Sequence, residues 1–170
     1  MKIAGIAFIV LSAVSVSLQI SFGMKKRCVE LRKILMAITL LKNEISVCRT
    51  PLPQAFALMA ASTDGYAEQL FSYIACELNK RRWITVTAAM EQAILLNPLF
   101  LKDEQLCGIL RSMAAGIGKY DKSSQITTLD RTIAALEEMI DRAEKERGLK
   151  SKTYEALGLC AGMSLAILLL

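Results

Sequence analysis

The stretch LRKILMAITLLKNEISVCRTPLPQA, Leu31–Ala55, decides how this chain folds. Its apolar positions Leu31, Ile34, Ile38, Leu41, Ile45 and Cys48 step alternately by three and four residues. That spacing keeps one face of a helix apolar along its length, so the segment predicts a helix packed along a seam. Thr50-Pro51-Leu52-Pro53 then ends it and opens another. The residue before a proline avoids the helical region, the Thr50 hydroxyl can cap, and Pro51 fits a first helical position, where no amide hydrogen is needed.

The helical period continues outward from this turn. The second helix is expected to end near Ala61, before Ser62-Thr63-Asp64-Gly65. A third carries Leu70, Phe71, Ile74 and Leu78 on one face, with Lys80, Arg81 and Arg82 at the end where the helix dipole favours cations. Thr85 or Thr87 can cap a fourth, whose stripe is Ala89, Met90, Ala93 and Ile94. Asn97-Pro98 is a turn signal that starts a fifth; there Leu106, Ile109, Leu110, Met113 and Ile117 keep the period until Gly118 supplies a C-cap. Asp121, Ser123 or Ser124 can cap the sixth and longest helix, with a seam of Ile126, Leu129, Ile133, Leu136, Ile140 and Ala143. Beyond Ala143 the residues are polar all round, as in a stalk. No stretch reads as a persuasive strand. The expected fold is all-α, an antiparallel bundle of about six helices.

Two uncharged apolar segments flank the bundle. Ile3–Met24 would rise about 33 Å as a helix, enough for a hydrocarbon core of about 30 Å. A cleaved signal peptide is the competing reading, with Lys2 before the apolar run and small residues at Ser15 and Ser17. Lys25, Lys26 and Arg27, followed by Arg32 and Lys33, resist translocation and favour retention. Ala156–Leu170 would rise only about 22 Å, so it reads either as a buried core helix or as a short span. Snorkelling Lys150 and Lys152, Tyr154 at the headgroup level, and the small surfaces of Gly158, Ala161, Gly162 and Ser164 favour a span paired with the first. The expected division is therefore 1–24, an N-terminal transmembrane helix; 25–153, the helical bundle; and 154–170, a C-terminal transmembrane helix. Both basic flanks face the middle, which places the bundle in the cytoplasm.

Composition narrows the chemistry. The chain carries 21 Lys and Arg against 16 Asp and Glu, and much of the excess lies beside the apolar ends, where anionic lipid explains it better than nucleic acid does. Arg81-Arg82-Trp83 is the sole basic-aromatic patch, and a solvated helix end accounts for it. Histidine is absent, which removes the commonest general base and metal ligand and every Ser-His or Cys-His pair. The cysteines Cys28, Cys48, Cys76, Cys107 and Cys160 form no CxxC pair and read as small apolar residues in a reduced compartment. Gly116-Ile117-Gly118 lacks the rest of a dinucleotide fingerprint, and no Walker A sequence is present. The carboxylate pairs Asp103-Glu104 and Glu137-Glu138 are adjacent on helices and point apart, so they are poor acid/base partners. The expectation is a non-enzyme with no cofactor and no metal.

These residues also carry a resemblance. A short apolar start, a basic flank, Leu40-Leu41-Lys42-Asn43-Glu44-Ile45 and then Thr50-Pro51-Leu52-Pro53-Gln54-Ala55 are similar to the opening of the stage III sporulation protein AB family. Gly118 followed by Asp121 and Gln125 before a charged final helix resembles the family's second signature, and a glycine-broken apolar tail closes both. The resemblance departs at Met90, where the family tends to place a tryptophan; here the single tryptophan is Trp83.

What the resemblance implies is a component of the assembly joining mother cell and forespore, similar to the inner-membrane platform of type II secretion and type IV pilus machines. It implies a scaffold in the mother-cell membrane that couples a secretion-type cytoplasmic ATPase, stage III sporulation protein AA-like, to other stage III sporulation membrane proteins. Membrane lipid is a further expected partner, nucleic acid is not, and homo-oligomerisation stays open. The signature residues Glu44, Thr50, Pro51, Leu52, Pro53, Ala55, Gly118, Asp121 and Gln125 are structural or partner-binding on this reading. The alternative is a membrane-anchored helical adaptor or chaperone outside sporulation.

Overall fold

The computed structural model describes residues 23, 25–80, 85–97, 100, 102–118 and 121–169. Among them all regular structure is helical. Helix α1 covers residues 25–43 and runs into a π turn, Glu44–Cys48. There follow α2 (Leu52–Ala61), α3 (Gly65–Lys80), α4 (Val86–Leu95), α5 (Glu104–Ile117) and α6 (Lys122–Leu169). The six expected helices are present, and the described residues contain no strand.

The chain divides into two compact units, Glu30–Met139 and a second formed by Met1–Val29 with Ile140–Leu170. In the second, Cys28 and Ile140 are buried. Lys145 pairs with Asp141 one turn earlier at 2.6 Å. Helix α6 runs on as far as Leu169 with no interruption where the C-terminal span was expected to begin. Among the described residues, no helix is long and apolar enough to cross a membrane. The expected N-terminal span, apart from Gly23, lies outside the described residues.

The Glu30–Met139 unit is an up-and-down arrangement because its connections are short. Three residues join α2 to α3 and four join α5 to α6, which leaves each pair antiparallel. Successive helices pack on one another from α2 through α5. Helices α1 and α6 close the set. Lys42 pairs with Asp130 at 2.6 Å, and Lys122 Nζ donates to the Ser46 carbonyl at 2.8 Å, so rising numbers on one helix meet falling numbers on the other. The chain therefore enters and leaves this unit at the same end.

The core follows the apolar stripes, except that Leu78 and Ile109 are only half-buried. Leu31, Ile34, Ile38 and Leu41 from α1, Phe56 and Met59 from α2, Leu70, Phe71 and Ile74 from α3, and Met90 and Ile94 from α4 are fully buried. Each such side chain contributes about 1.5–3 kcal/mol on leaving water. Phe56 and Phe71 meet as a tilted pair with centroids 6.4 Å apart.

Three local expectations are corrected. Cys48 is exposed, because the π turn spreads the last turn of α1 over more residues and carries Cys48 off the seam that ends at Ile45. In α6 the seam is Leu129, Thr132, Leu136, Met139 and Ile140; Ile126 and Ile133 are only half-buried. Thr132 can be buried because its hydroxyl donates to the Thr128 carbonyl at 2.8 Å. The fifth helix begins at Glu104, capped by Asp103 Oδ1, which accepts from the Leu106 amide; Asn97 and Phe100 instead build the turns before it. Gly118 occupies the C-cap of α5 as expected, in the right-handed region at φ −71°.

At the end where α1 enters, the Lys33 ammonium ties α1 to the α2–α3 turn and is held by a buried carboxylate of its own helix. Glu30 is 8% exposed, and its Oε1 accepts from Lys33 Nζ at 3.0 Å. Lys33 also reaches Asp64 at 2.6 Å, immediately before Gly65 opens α3 with φ +68°. Hydrogen bonds to Asp64 and then Glu30 hold the Lys33 ammonium above its ordinary pKa, and the same bond from Lys33 holds the Asp64 carboxyl below its own. The Glu30 oxygens lie 3.5 and 3.8 Å from where a Cβ on Gly65 would stand, so the carboxylate sits at the positive end of α3.

Candidate functional site

The signature residues gather at the opposite end of the unit, around the π turn. Thr50 Oγ1 donates to Glu44 Oε2, and the Glu44 carbonyl accepts the amides of both Arg49 and Thr50. One residue thus closes the turn with its side chain and its backbone. Arg49 pays for that closure in conformation: its φ is +56°, the left-handed region that side-chain-bearing residues avoid. Pro51 follows with φ −57° and ψ 140°, and Leu52 and Pro53 form the first two positions of α2, where missing amide hydrogens are tolerated. Pro51 O accepts from the Ala55 amide at 3.0 Å, and Ala55 is wholly buried.

The second signature lies at the α5–α6 corner. Asp121 accepts from the Ser123 hydroxyl at 2.7 Å, the Ser124 amide at 3.1 Å and the Ser123 amide at 3.4 Å. These bonds, the hydroxyl first, hold the Asp121 carboxyl below the usual carboxylate range. The Asp121 carbonyl takes the Gln125 amide at 3.1 Å, which starts α6. Gly118 is exposed and ends α5.

The two signatures are brought together by a residue that neither contains. Lys122 lies directly after Asp121, and its ammonium holds the Ser46 carbonyl in the middle of the π turn. Together they frame a surface with Val47 at its centre, 77% exposed, and with Cys48, Arg49, Pro51 and Lys122 also exposed. No local signal could have found the Lys122–Ser46 bond, since its partners are 76 residues apart. Nothing in a helix-forming sequence marks Arg49 as left-handed either.

A second feature is the close approach of α5 and α6. A Cβ on Gly116 would stand 2.5 Å from Thr128 Oγ1 and 2.8 Å from its Cβ, so glycine is what allows this crossing. Beside it runs an open groove lined by Gly108, Ser112, Gly116, Thr128, Arg131 and Thr132 among others. Among the described residues no group of Cys, Asp and Glu is placed to hold a metal ion. Cys107 is buried, donates to the Phe100 carbonyl at 2.9 Å, and has its thiol pKa pushed up by that burial. What the arrangement offers is a shaped contact surface on a helical frame.

The fold and this surface define a helical bundle domain whose signature turns are held in fixed mutual register. The chain belongs to the stage III sporulation protein AB family, whose profile matches residues 2–170. It is 26% identical to stage III sporulation protein AB of Bacillus subtilis (strain 168), over all of this chain and 99% of that one. A solved structure of a stage III sporulation protein AB superposes with a TM-score of 0.65 at 22% identity, over 73% of this chain and 98% of the other, and supports the fold.

Proposed function

We propose that this chain is a non-catalytic platform of the sporulation channel between mother cell and forespore, held in the mother-cell membrane by its apolar ends. Its bundle faces the cytoplasm, where it couples a secretion-type ATPase to the other stage III membrane proteins. The observation that carries this reading is the antiparallel pairing of α1 with α6 through Lys42–Asp130 and Lys122–Ser46. A domain whose chain enters and leaves at one end is suited to hang from one membrane face. The segments beyond that end are the apolar Ile3–Met24 and the run to Leu170, each with its basic flank turned toward the bundle. On this reading Glu44, Thr50, Pro51, Leu52, Pro53, Ala55, Gly118, Asp121 and Gln125 serve the partner by fixing the turn that meets it.

Two measurements test the proposal. Cys48 and Cys76 are exposed on the bundle, so they report its location. An impermeant thiol reagent should leave both unlabelled in intact cells and label both after lysis; labelling in intact cells overturns the cytoplasmic placement. The full chain, purified in detergent, should retain the sporulation ATPase of the same cell. Absence of that complex would leave a membrane-anchored adaptor as the better account.

A further inference from the structure

We infer that Arg49, Lys122 and Val47 anchor an acidic segment of the partner protein, one in which an apolar side chain stands beside carboxylates. The inference rests on the platform reading above and names the chemistry of the contact that reading requires. None of the three belongs to the signature residues, which hold the turn rather than face outward from it.

Arg49 is the point of departure. Among the described residues it alone, glycine aside, has a left-handed backbone, at φ 56° and ψ 33°, where glycine would sit without steric cost. Its side chain is exposed and makes no hydrogen bond or ion pair among the described residues. The guanidinium therefore contributes no polar contact to the bundle that would offset the strained backbone. A strained position whose side chain is idle within the fold points to a use outside it.

The charges around the turn are already sorted. Lys122 is held to the turn by its 2.8 Å bond to the Ser46 carbonyl, and among the described residues it pairs with no carboxylate. An ammonium has three donors, so the bond to Ser46 leaves two. The carboxylates of the two signatures are engaged: Glu44 accepts from Thr50, and Asp121 accepts from Ser123 and Ser124. Asp130 is paired with Lys42. The turn therefore presents two cations outward, with the exposed Val47 between Ser46 and Arg49. An arginine fork takes both oxygens of a carboxylate, and Val47 offers the apolar contact beside it.

Other occupants fit less well. A second copy using the same surface would set cation against cation. Single-stranded nucleic acid binds on aromatic platforms, and the apolar residues here are Val47 and Pro51. Anionic lipid responds to the number of cations near it, whereas this turn is fixed by Glu44–Thr50 and Lys122–Ser46 before anything binds. Such preorganisation lowers the ordering cost of a directional contact with protein.

The test measures the affinity of the full chain, purified in detergent, for the sporulation ATPase of the same cell. Arg49→Gly relieves the backbone and removes the cation. It should weaken binding about ten-fold, equivalent to about 1.4 kcal/mol, with the melting temperature unchanged or raised. Arg49→Glu should weaken binding further, and Arg49→Lys, which keeps the charge without the planar fork, should fall between wild type and Arg49→Gly. A photo-crosslinking amino acid in place of Val47 should join the ATPase within a few residues of Asp or Glu; a cross-link to a segment without carboxylates overturns the inference. Equal binding by wild type and Arg49→Glu overturns it too and leaves the platform reading intact. Weaker binding by Arg49→Gly together with a lower melting temperature would make Arg49 a structural residue, against the inference. In nanodiscs containing phosphatidylglycerol, Val47→Trp in a chain with Trp83→Phe should be untouched by headgroup spin-labelled lipid; quenching would assign the surface to the membrane instead. A wild-type chain that retains no ATPase removes the platform reading itself, and the inference with it.

Discussion

Replacing Gly116 with alanine should weaken the bundle, whereas the same change at Gly108, two turns earlier in α5, should strengthen it. Both glycines lie inside one helix, where alanine is favoured over glycine by about 1 kcal/mol. A Cβ at Gly108 meets nothing within 4 Å, so that gain is expressed in full. A Cβ at Gly116 would stand 2.8 Å from the Thr128 Cβ, well inside the ~3.5–4.0 Å of a good carbon contact. A Cβ cannot rotate away, and the Thr128 hydroxyl is already engaged with the Ser124 carbonyl at 2.9 Å. Helices α5 and α6 must separate, at an overpacking cost of about 1–3 kcal/mol. Net of propensity, Gly116→Ala should lose about 1 kcal/mol, which places the two variants roughly 2 kcal/mol apart. For a chain of this size each kcal/mol moves the melting temperature by about 2–4 °C. Thermal unfolding of the full chain followed by far-ultraviolet circular dichroism measures this directly. Thr128→Ala removes the two nearest atoms, so the double variant should recover part of the loss. A Gly116→Ala protein at least as stable as the wild type would refute the close approach of α5 to α6.

Three further outcomes follow from the turns. Arg49→Gly should raise stability by about 1 kcal/mol, because glycine adopts the observed φ of +56° without steric cost; a lower urea midpoint would show that the arginine side chain holds the turn. Thr50→Val keeps the shape but removes the bond to Glu44 and should cost about 1 kcal/mol by the same measurement, with no loss if Glu44 does not close the turn. Asp121 has a depressed folded pKa, so its stabilisation is complete above the ordinary carboxylate value near 3.9 and is lost as pH falls through the folded value. The melting-temperature gap between wild type and Asp121→Ala should therefore be widest near neutrality and close on acidification; a gap independent of pH would contradict the cap.

What the sequence makes legible here is what neighbours within a few turns decide. The α1 seam, the stop at Thr50-Pro51, the Thr85 cap, whose side chain accepts from the Ala88 amide, and the start of α6 at Asp121 all depend on local periodicity or capping. The misses have longer range. Thr132 and Met139 replace Ile133 in the α6 seam, because the face that α6 buries is chosen by its neighbours and a threonine can satisfy its own hydroxyl within the helix. Cys48 leaves the α1 seam because the Glu44 carbonyl accepts from Arg49, five residues on, which widens the turn. Glu30 is a charged residue in a basic flank by sequence, yet it is buried against the first turn of α3. Gly116 read as half of a failed nucleotide motif, and a glycine within the last turn of a helix was itself the signal of close packing that could have found the α5–α6 crossing.

These long-range contacts share a consequence for α1. An apolar seam such as Leu31, Ile34, Ile38 and Leu41 resists separation of helices, and its interdigitated side chains resist small displacements, but the seam repeats and so does not by itself name one register. Polar contacts add that selectivity, because a shift of one residue along the axis is about 1.5 Å and already breaks a bond of ordinary length. Helix α1 carries such contacts at both ends of the unit: Lys33 to Asp64 of the α2–α3 turn, Lys42 to Asp130, and the Ser46 carbonyl to Lys122. An axial push delivered at the π turn is therefore borne by α1, α3 and α6 together, with the register between them unchanged. In the platform proposed above, this shared register would carry a displacement from the π turn to the end at which the chain leaves the unit, with the polar pins selecting the register that the packed core then holds.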